Sequence, residues 1–306
     1  MLSVTKARIA PSVAMAVGMA IALSGCATAN PMTSASDLKT TLVVGSQDYY
    51  SNVVVAEIYA QALEKGGFAV TRSFRIGQRE VYLPELKAGK IDVFPEYIGS
   101  LDQALNKAAA GGSVADVVKD LAAVLPAGLR VLEPAKASDQ NSWTVTAEFA
   151  KKYRLTDIAS LSRVTEPIIV GGNSELQTRP YGPATLKSKY GISTAGFSAV
   201  EDGGGPLTVK ALVDNKIQLA NIYTADPNIV TNKLVALSDP DHLFLPDNLA
   251  PVVSKRANAT VLAILNRVSA KLSQQDLVRL NSQSVNDQKS AAMIAKGWLA
   301  GNGLAK

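Results

Sequence analysis

The chemistry this chain offers lies in charged side chains and rings rather than in nucleophiles or metal ligands. It has one cysteine, Cys26, and one histidine, His242, in 306 residues. A single histidine argues against histidine-based triads and multi-histidine metal centres. With Cys26 committed elsewhere, no thiol is left for a disulfide or a metal site. No Gly-x-Ser-x-Gly string occurs, and Gly203-Gly204-Gly205 lacks the Gly-Lys-Ser/Thr of a phosphate loop. The sequence therefore predicts no enzyme and no cofactor. What remains are groups suited to binding. Arg79 could clamp a carboxylate or lie on the surface. Asp48 could accept a hydroxyl, balance a cation, or cap the helix that follows the first strand. Asp226 precedes Pro227 as an N-cap precedes a proline at the first helical position.

These residues sit in a regular alternation of elements. An apolar strand at 41–46 leads to helical spacing over 52–65, stopped by Gly66-Gly67. A strand at 68–74, a helix at 81–88 ended by Gly89 and a strand at 91–94 follow. That β-α-β-α-β order predicts a parallel sheet covered by helices. A further helix spans 114–125. A second unit starts near 143–146, with strands at 168–170, 191–197 and 218–223 and helices near 183–189 and 207–215. After 234–237 the chain passes Pro246 and Pro251, then reads as helical to the end, with a capping box at Ser273-Gln274-Gln275-Asp276. Two α/β units predict a bilobed architecture, with a ligand cleft where strand ends of both lobes face each other. The expected lobes are 40–138 plus 244–306 and 139–243, with a hinge of two crossovers near 137–140 and 240–243. If the turn at Tyr49-Tyr50 is regular, only one of those rings faces the cleft.

The N-terminus reads as an address. Lys6 and Arg8 precede an alanine- and valine-rich segment, with no acidic residue up to Cys26. The apolar core of about 15 residues is shorter than the roughly 20 of a membrane-spanning helix, so residues 1–25 are expected to be a secretory signal peptide. Leu23-Ser24-Gly25-Cys26 resembles the bacterial lipobox, in which the cysteine is diacylated and begins the mature protein. Residues 26–39, rich in Ala, Ser, Thr, Asn and Pro, form the expected flexible tether between lipid and fold. Without Lys6 and Arg8 the net charge falls from +5 to about +3, with the basic residues scattered. That argues against nucleic acid as a partner.

Four strings carry a more specific likeness. Val43-Val44-Gly45-Ser46-Gln47-Asp48-Tyr49 stands where one family usually reads Gly-Ser-Lys-Asn-Phe-Thr-Glu. Ile91-Asp92-Val93-Phe94-Pro95-Glu96-Tyr97-Ile98-Gly99-Ser100 is close to its Ile-Asp-Leu-Tyr-Pro-Glu-Tyr-Thr-Gly-Thr. Ala220-Asn221-Ile222-Tyr223-Thr224-Ala225-Asp226 is close to its Tyr-Ser-Thr-Asp region, and Phe244-Leu245-Pro246-Asp247-Asn248-Leu249-Ala250-Pro251-Val252-Val253 resembles Phe-Pro-Pro-Tyr-Asn-Ala-Ala-Pro-Val-Val. In register across nearly the whole mature chain, they resemble the osmoprotectant (glycine betaine, choline, carnitine) substrate-binding lipoproteins of ABC importers, the ProX-like or OpuC-type group.

The resemblance implies a periplasmic-binding-protein-like (type II) fold, outside the cell membrane and lipid-anchored. It implies a monomer that captures a small solute and delivers it to an ABC permease and ATPase complex. In such proteins a quaternary ammonium sits among aromatic rings by cation–π attraction. By position, Tyr97, Tyr223 and Trp143 are the implied rings, and Gln47 and Asn141 join Asp48, Arg79 and Asp226 as polar candidates. Trp143 could equally staple an interlobe crossover. The chain also departs from the pattern. Val209 stands where the family has a ring, Asp48-Tyr49-Tyr50-Ser51 replaces Asn-Phe-Thr-Glu, and Gly77-Gln78-Arg79 replaces Gly-Gly-Thr. An incomplete, more polar box leaves a hydroxylated aromatic or other polar solute as the alternative ligand.

Overall fold

The structure, a computed structural model, describes residues 41–109 and 111–304, so the leader, Cys26 and the tether lie outside the described residues. The chain runs β1 (Leu42–Gly45), α1 (Tyr50–Lys65), β2 (Val70–Ser73), α2 (Arg79–Lys87), β3 (Val93–Tyr97), α3 (Ile98–Leu105), α4 (Val114–Val124) and β4 (Leu129–Val131). It then crosses to β5 (Asn141–Thr146), α5 (Ala147–Tyr153), β6 (Ile169–Gly172), α6 (Pro183–Tyr190), β7 (Gly196–Ala199), α7 (Pro206–Val213), β8 (Leu219–Tyr223), α8 (Asn228–Thr231) and β9 (Leu234–Ala236). It returns through β10 (Leu249–Ser254) and ends in α9 (Ala259–Lys271), α10 (Gln274–Val285) and α11 (Ala291–Gly301). Two five-stranded sheets result, ordered β2-β1-β3-β10-β4 and β7-β6-β8-β5-β9. The fold is bilobed α/β.

Neither sheet is wholly parallel. β10 runs antiparallel to β3 and β4, and β5 antiparallel to β8 and β9. These are the two strands that the chain forms on entering a sheet from the other lobe. The expectation of helix after Pro246 and Pro251 has no place for β10, and a proline is unusual in a central strand. Pro251 fits because it uses only its carbonyl, accepting the Leu132 N–H at 2.9 Å. The amide hydrogen it lacks would face the same side, at the margin of β4, whose register with β10 begins only at Val252. The strand expected at 191–197 starts later. Gly191 ends α6 in the left-handed region at φ 70°, and the chain reaches the sheet only at Gly196.

Packing follows the apolar pattern. Val54, Val55, Ile58, Tyr59 and Leu63 of α1 are buried, because α1 lies between the first sheet and the three C-terminal helices. A helix apolar on most sides is one covered on most sides. The capping box at Ser273 and Asp276 starts α10, with Ser273 Oγ accepting the Asp276 N–H at 3.1 Å. The two crossovers lie side by side. Leu249 N–H donates to Ala137 O at 2.9 Å, and Ala135 N–H to Leu249 O at 2.7 Å. Gln140 Nε2 donates to Phe244 O and Leu245 O at 3.1 and 2.7 Å. Leu243 and Phe244 pack in the core of the second lobe, so the return crossing falls at 245–248 rather than 240–243.

Candidate functional site

The carboxyl ends of the parallel strands aim three tyrosines at one another. Tyr49 follows β1 and immediately precedes α1, Tyr97 is the last residue of β3, and Tyr223 is the last residue of β8. The Tyr49 ring lies 5.2 Å from Tyr223 and 6.5 Å from Tyr97, centroid to centroid, and Tyr181 faces the same space. They line a cavity of about 40 Å³ between the lobes, larger than the roughly 10–15 Å³ that holds one water. Tyr97 Oη is buried and without a hydrogen-bond partner.

Close approach of the lobes depends on glycine. Gly203, at φ +65°, sits so near the first lobe that an added Cβ would stand 2.7 Å from Tyr49 Cβ. Polar contacts also join the lobes, two of them between charged or hydroxyl side chains at the cleft. Arg179 donates to Glu80 at 2.6 and 3.1 Å, and the Tyr50 hydroxyl donates to Asp226 Oδ2 at 2.7 Å.

The charged lining is unevenly paired. Arg79, 8% exposed, donates to the fully buried Glu96 at 3.3 and 3.1 Å. Glu96 also accepts the Tyr97 N–H at 2.9 Å and the Tyr82 hydroxyl. Asp139, in the first crossover, accepts the Ala225 N–H at 2.8 Å and has no basic partner among the described residues. Burial pushes its carboxyl up to about 7. Asp247, in the return crossover, accepts the Ser100 N–H and Oγ–H at 2.9 and 2.5 Å. Burial pushes it up to about 6. Glu175 Oε2 is buried with no hydrogen-bond partner among the described residues, and burial raises that carboxyl too.

The comparisons with known proteins fit this geometry. Residues 40–301 match the family described as the substrate binding domain of ABC-type glycine betaine transport system. The chain belongs to this family. Among its relatives is the glycine betaine-binding protein YehZ of Escherichia coli (strain K12), 26% identical over 90% of this chain and 94% of that one. A crystal structure of a glycine betaine/carnitine/choline ABC transporter protein superposes with a TM-score of 0.69 at 19% identity, over 87% of this chain and 100% of the other. A choline-bound ABC-transporter choline binding protein gives 0.64 at 16% identity, over 86% and 89%.

Within this substrate-binding domain, the structure brings Gln47, Arg79, Tyr97, Asn141 and Tyr223 together around the cavity, and leaves three expected residues outside it. Trp143 is fully buried in the second lobe's core near Phe244, 6.5 Å between ring centroids. Asp48 holds Gln78 Nε2 at 2.8 Å and caps nothing, since Tyr49 is the N-cap of α1. Asp226 is occupied by Tyr50 and by the Asn228 N–H at 2.7 Å, and the helix there starts at Asn228, one residue later than a cap at Asp226 would set it. Of the tyrosine pair, Tyr49 faces the cavity. Val209 packs in the second lobe's core while Tyr49 and Tyr181 supply rings, which removes the ground for a hydroxylated aromatic solute. The sequence reading missed Asp139, Asp247, Glu175 and Arg179. The first lies in the predicted hinge and the second in the fourth string, so both had a signal.

Gly203→Ala separates closure from folding. The left-handed backbone costs alanine roughly 1–2 kcal/mol, a modest loss in a denaturant titration. The clash with Tyr49 acts only when the lobes close, so solute affinity is expected to fall at least about ten-fold, roughly 1.4 kcal/mol. Unchanged affinity would show that closure does not need this approach.

Proposed function

We propose that this protein is the extracytoplasmic solute-binding component of an ABC importer, anchored by lipid on Cys26 to the outer face of the cell membrane. As a monomer it captures a quaternary-amine osmoprotectant, such as glycine betaine, choline or carnitine, and delivers it to the membrane permease and its ATPase. One observation carries the ligand class: Tyr49, Tyr97 and Tyr223 surround a space where the buried Asp139 carboxylate lacks a basic partner among the described residues. A methylated ammonium donates no N–H bonds, so ring faces and an opposite charge are what recognise it. Each ring contributes about 0.5–2 kcal/mol when desolvated. Gln47, Asn141 and Arg79 then form the polar wall.

The moving bodies are residues 41–138 with 249–304 and residues 141–244, flexing at the paired crossovers. The solute shifts an existing open–closed equilibrium only by its preference for the closed cleft. The pairs Arg179–Glu80 and Tyr50–Asp226 exist only where the lobes meet, and they favour the closed form. Calorimetric titration with glycine betaine, choline, carnitine and proline betaine tests the reading. At least one is expected to bind with a Kd below about 1 mM, near −4 kcal/mol. Failure of all four would leave a binding protein with a different ligand.

A further inference from the structure

The lining of the cavity distinguishes two kinds of quaternary amine. A zwitterion such as a betaine brings a carboxylate that needs a free cation or several free N–H donors. A hydroxylated monocation brings one positive charge and one hydroxyl donor, and needs acceptors instead. The lining residues hold two guanidinium groups, Arg79 and Arg179, and each already grips a carboxylate, Glu96 and Glu80 respectively. Three further carboxylates line the same space without a basic partner within ion-pair distance among the described residues: Asp139, Asp247 and Glu175. Asp139 and Asp247 are each 3% exposed. They sit on the two crossovers, so neither escapes to water when the lobes close. Glu175 Oε2 is buried without a donor. Apart from the Tyr97 hydroxyl, the charge left without a counter-charge in the cleft is therefore negative.

Resting on the quaternary-amine reading above, we propose that this cleft selects a net-cationic quaternary ammonium carrying a hydroxyl over a zwitterionic one of the same head group. The trimethylammonium head lies among Tyr49, Tyr97 and Tyr223 beside Asp139. The hydroxyl donates to the carboxylates toward Asp247 and Glu175. A ligand carboxylate in that place would meet like charge, a juxtaposition strongly unfavourable in a water-poor site.

Choline and glycine betaine share the trimethylammonium head and differ in a hydroxymethyl group against a carboxylate. Calorimetry of the full protein with each, at pH 8, is expected to give choline at least about ten-fold tighter binding, the scale of one unfavourable charge contact. Asp247→Asn keeps an acceptor for the Ser100 N–H and is expected to narrow that ratio by strengthening glycine betaine. An equal or reversed ratio in the unaltered protein overturns the inference and leaves the quaternary-amine reading intact; Arg79 would then be supplying an N–H to the betaine carboxylate. A ratio indifferent to Asp247→Asn also overturns it. If neither ligand binds, this inference fails; the quaternary-amine reading fails with it only when carnitine and proline betaine do not bind either.

Discussion

Arg79→Met is expected to remove roughly 3–5 kcal/mol of folding stability, because it strands a buried charge. Glu96 is fully buried and Arg79 is its ion-pair partner, through two N–H donors. The Tyr82 hydroxyl and Tyr97 N–H that Glu96 also accepts are neutral, and do not replace a positive charge. Burial works against the guanidinium, but Glu96 outweighs it and holds the Arg79 pKa well above its ordinary value. The denaturant midpoint of the unliganded protein reads the loss directly. Adding Glu96→Gln is expected to restore part of it, since removing both charges is far less damaging than removing one. A loss below about 1 kcal/mol, the scale of an exposed ion pair, would show that Glu96 does not depend on Arg79. That result would free the arginine to act as a ligand clamp.

Arg79 illustrates what the residue order made legible. Its type suited a carboxylate, and the structure pairs it with one; which carboxylate depends on β3 lying beside α2. The alternation of apolar runs and glycine stops made the two α/β units readable, because those signals are local. The antiparallel β10 was not readable, since its fit depends on the margin of β4, more than 100 residues away in sequence. Tyr97 and Tyr223 were legible only through the family resemblance, which implied them as ring residues; the strand read at 91–94 stops short of Tyr97, where β3 ends. Trp143 shares a face of β5 with Asn141 but lies two residues further along, about 7 Å deeper. That distance moves it from the cavity into the core beside Phe244. Asp139 and Asp247 stood in stretches the sequence marked, the predicted hinge and the fourth string, but their burial was not legible. An aspartate in a loop looks solvated until the other lobe covers it, and that covering is a property of the closed fold alone.

Asp139→Asn is expected to move stability and affinity in opposite directions. The carboxyl titrates near 3.8 in an ordinary setting and is pushed up to about 7 by burial between the lobes. Its surroundings give it little relief: Tyr49, Tyr50, Tyr97 and Tyr223 face it, as do Asp226 and Asp247, all neutral or acidic. A group with a raised folded pKa favours its protonated form. The stability it contributes to the empty closed protein is full below about pH 4, and it is lost as pH rises through 7. Above that point ionised Asp139 lowers stability by up to about 4 kcal/mol, at 1.36 kcal/mol per pH unit. Asparagine stays neutral and keeps an acceptor for the Ala225 N–H. The unliganded variant should therefore be the more stable protein at pH 8 and indistinguishable from the parent near pH 4. Binding reverses the sign. A quaternary ammonium beside the ionised carboxylate recovers the energy of that charge, so affinity in the unaltered protein should rise from pH 5 to pH 8. The variant should bind about 30-fold or more weakly at pH 8, the loss of roughly 2 kcal/mol expected for one partner of a buried charged contact. Its affinity should climb less steeply with pH, the remainder coming from Asp247. Denaturant midpoints and calorimetric affinities at pH 5.5, 7 and 8 test both arms. Equal affinity in the two proteins would mean that the rings alone hold the cation.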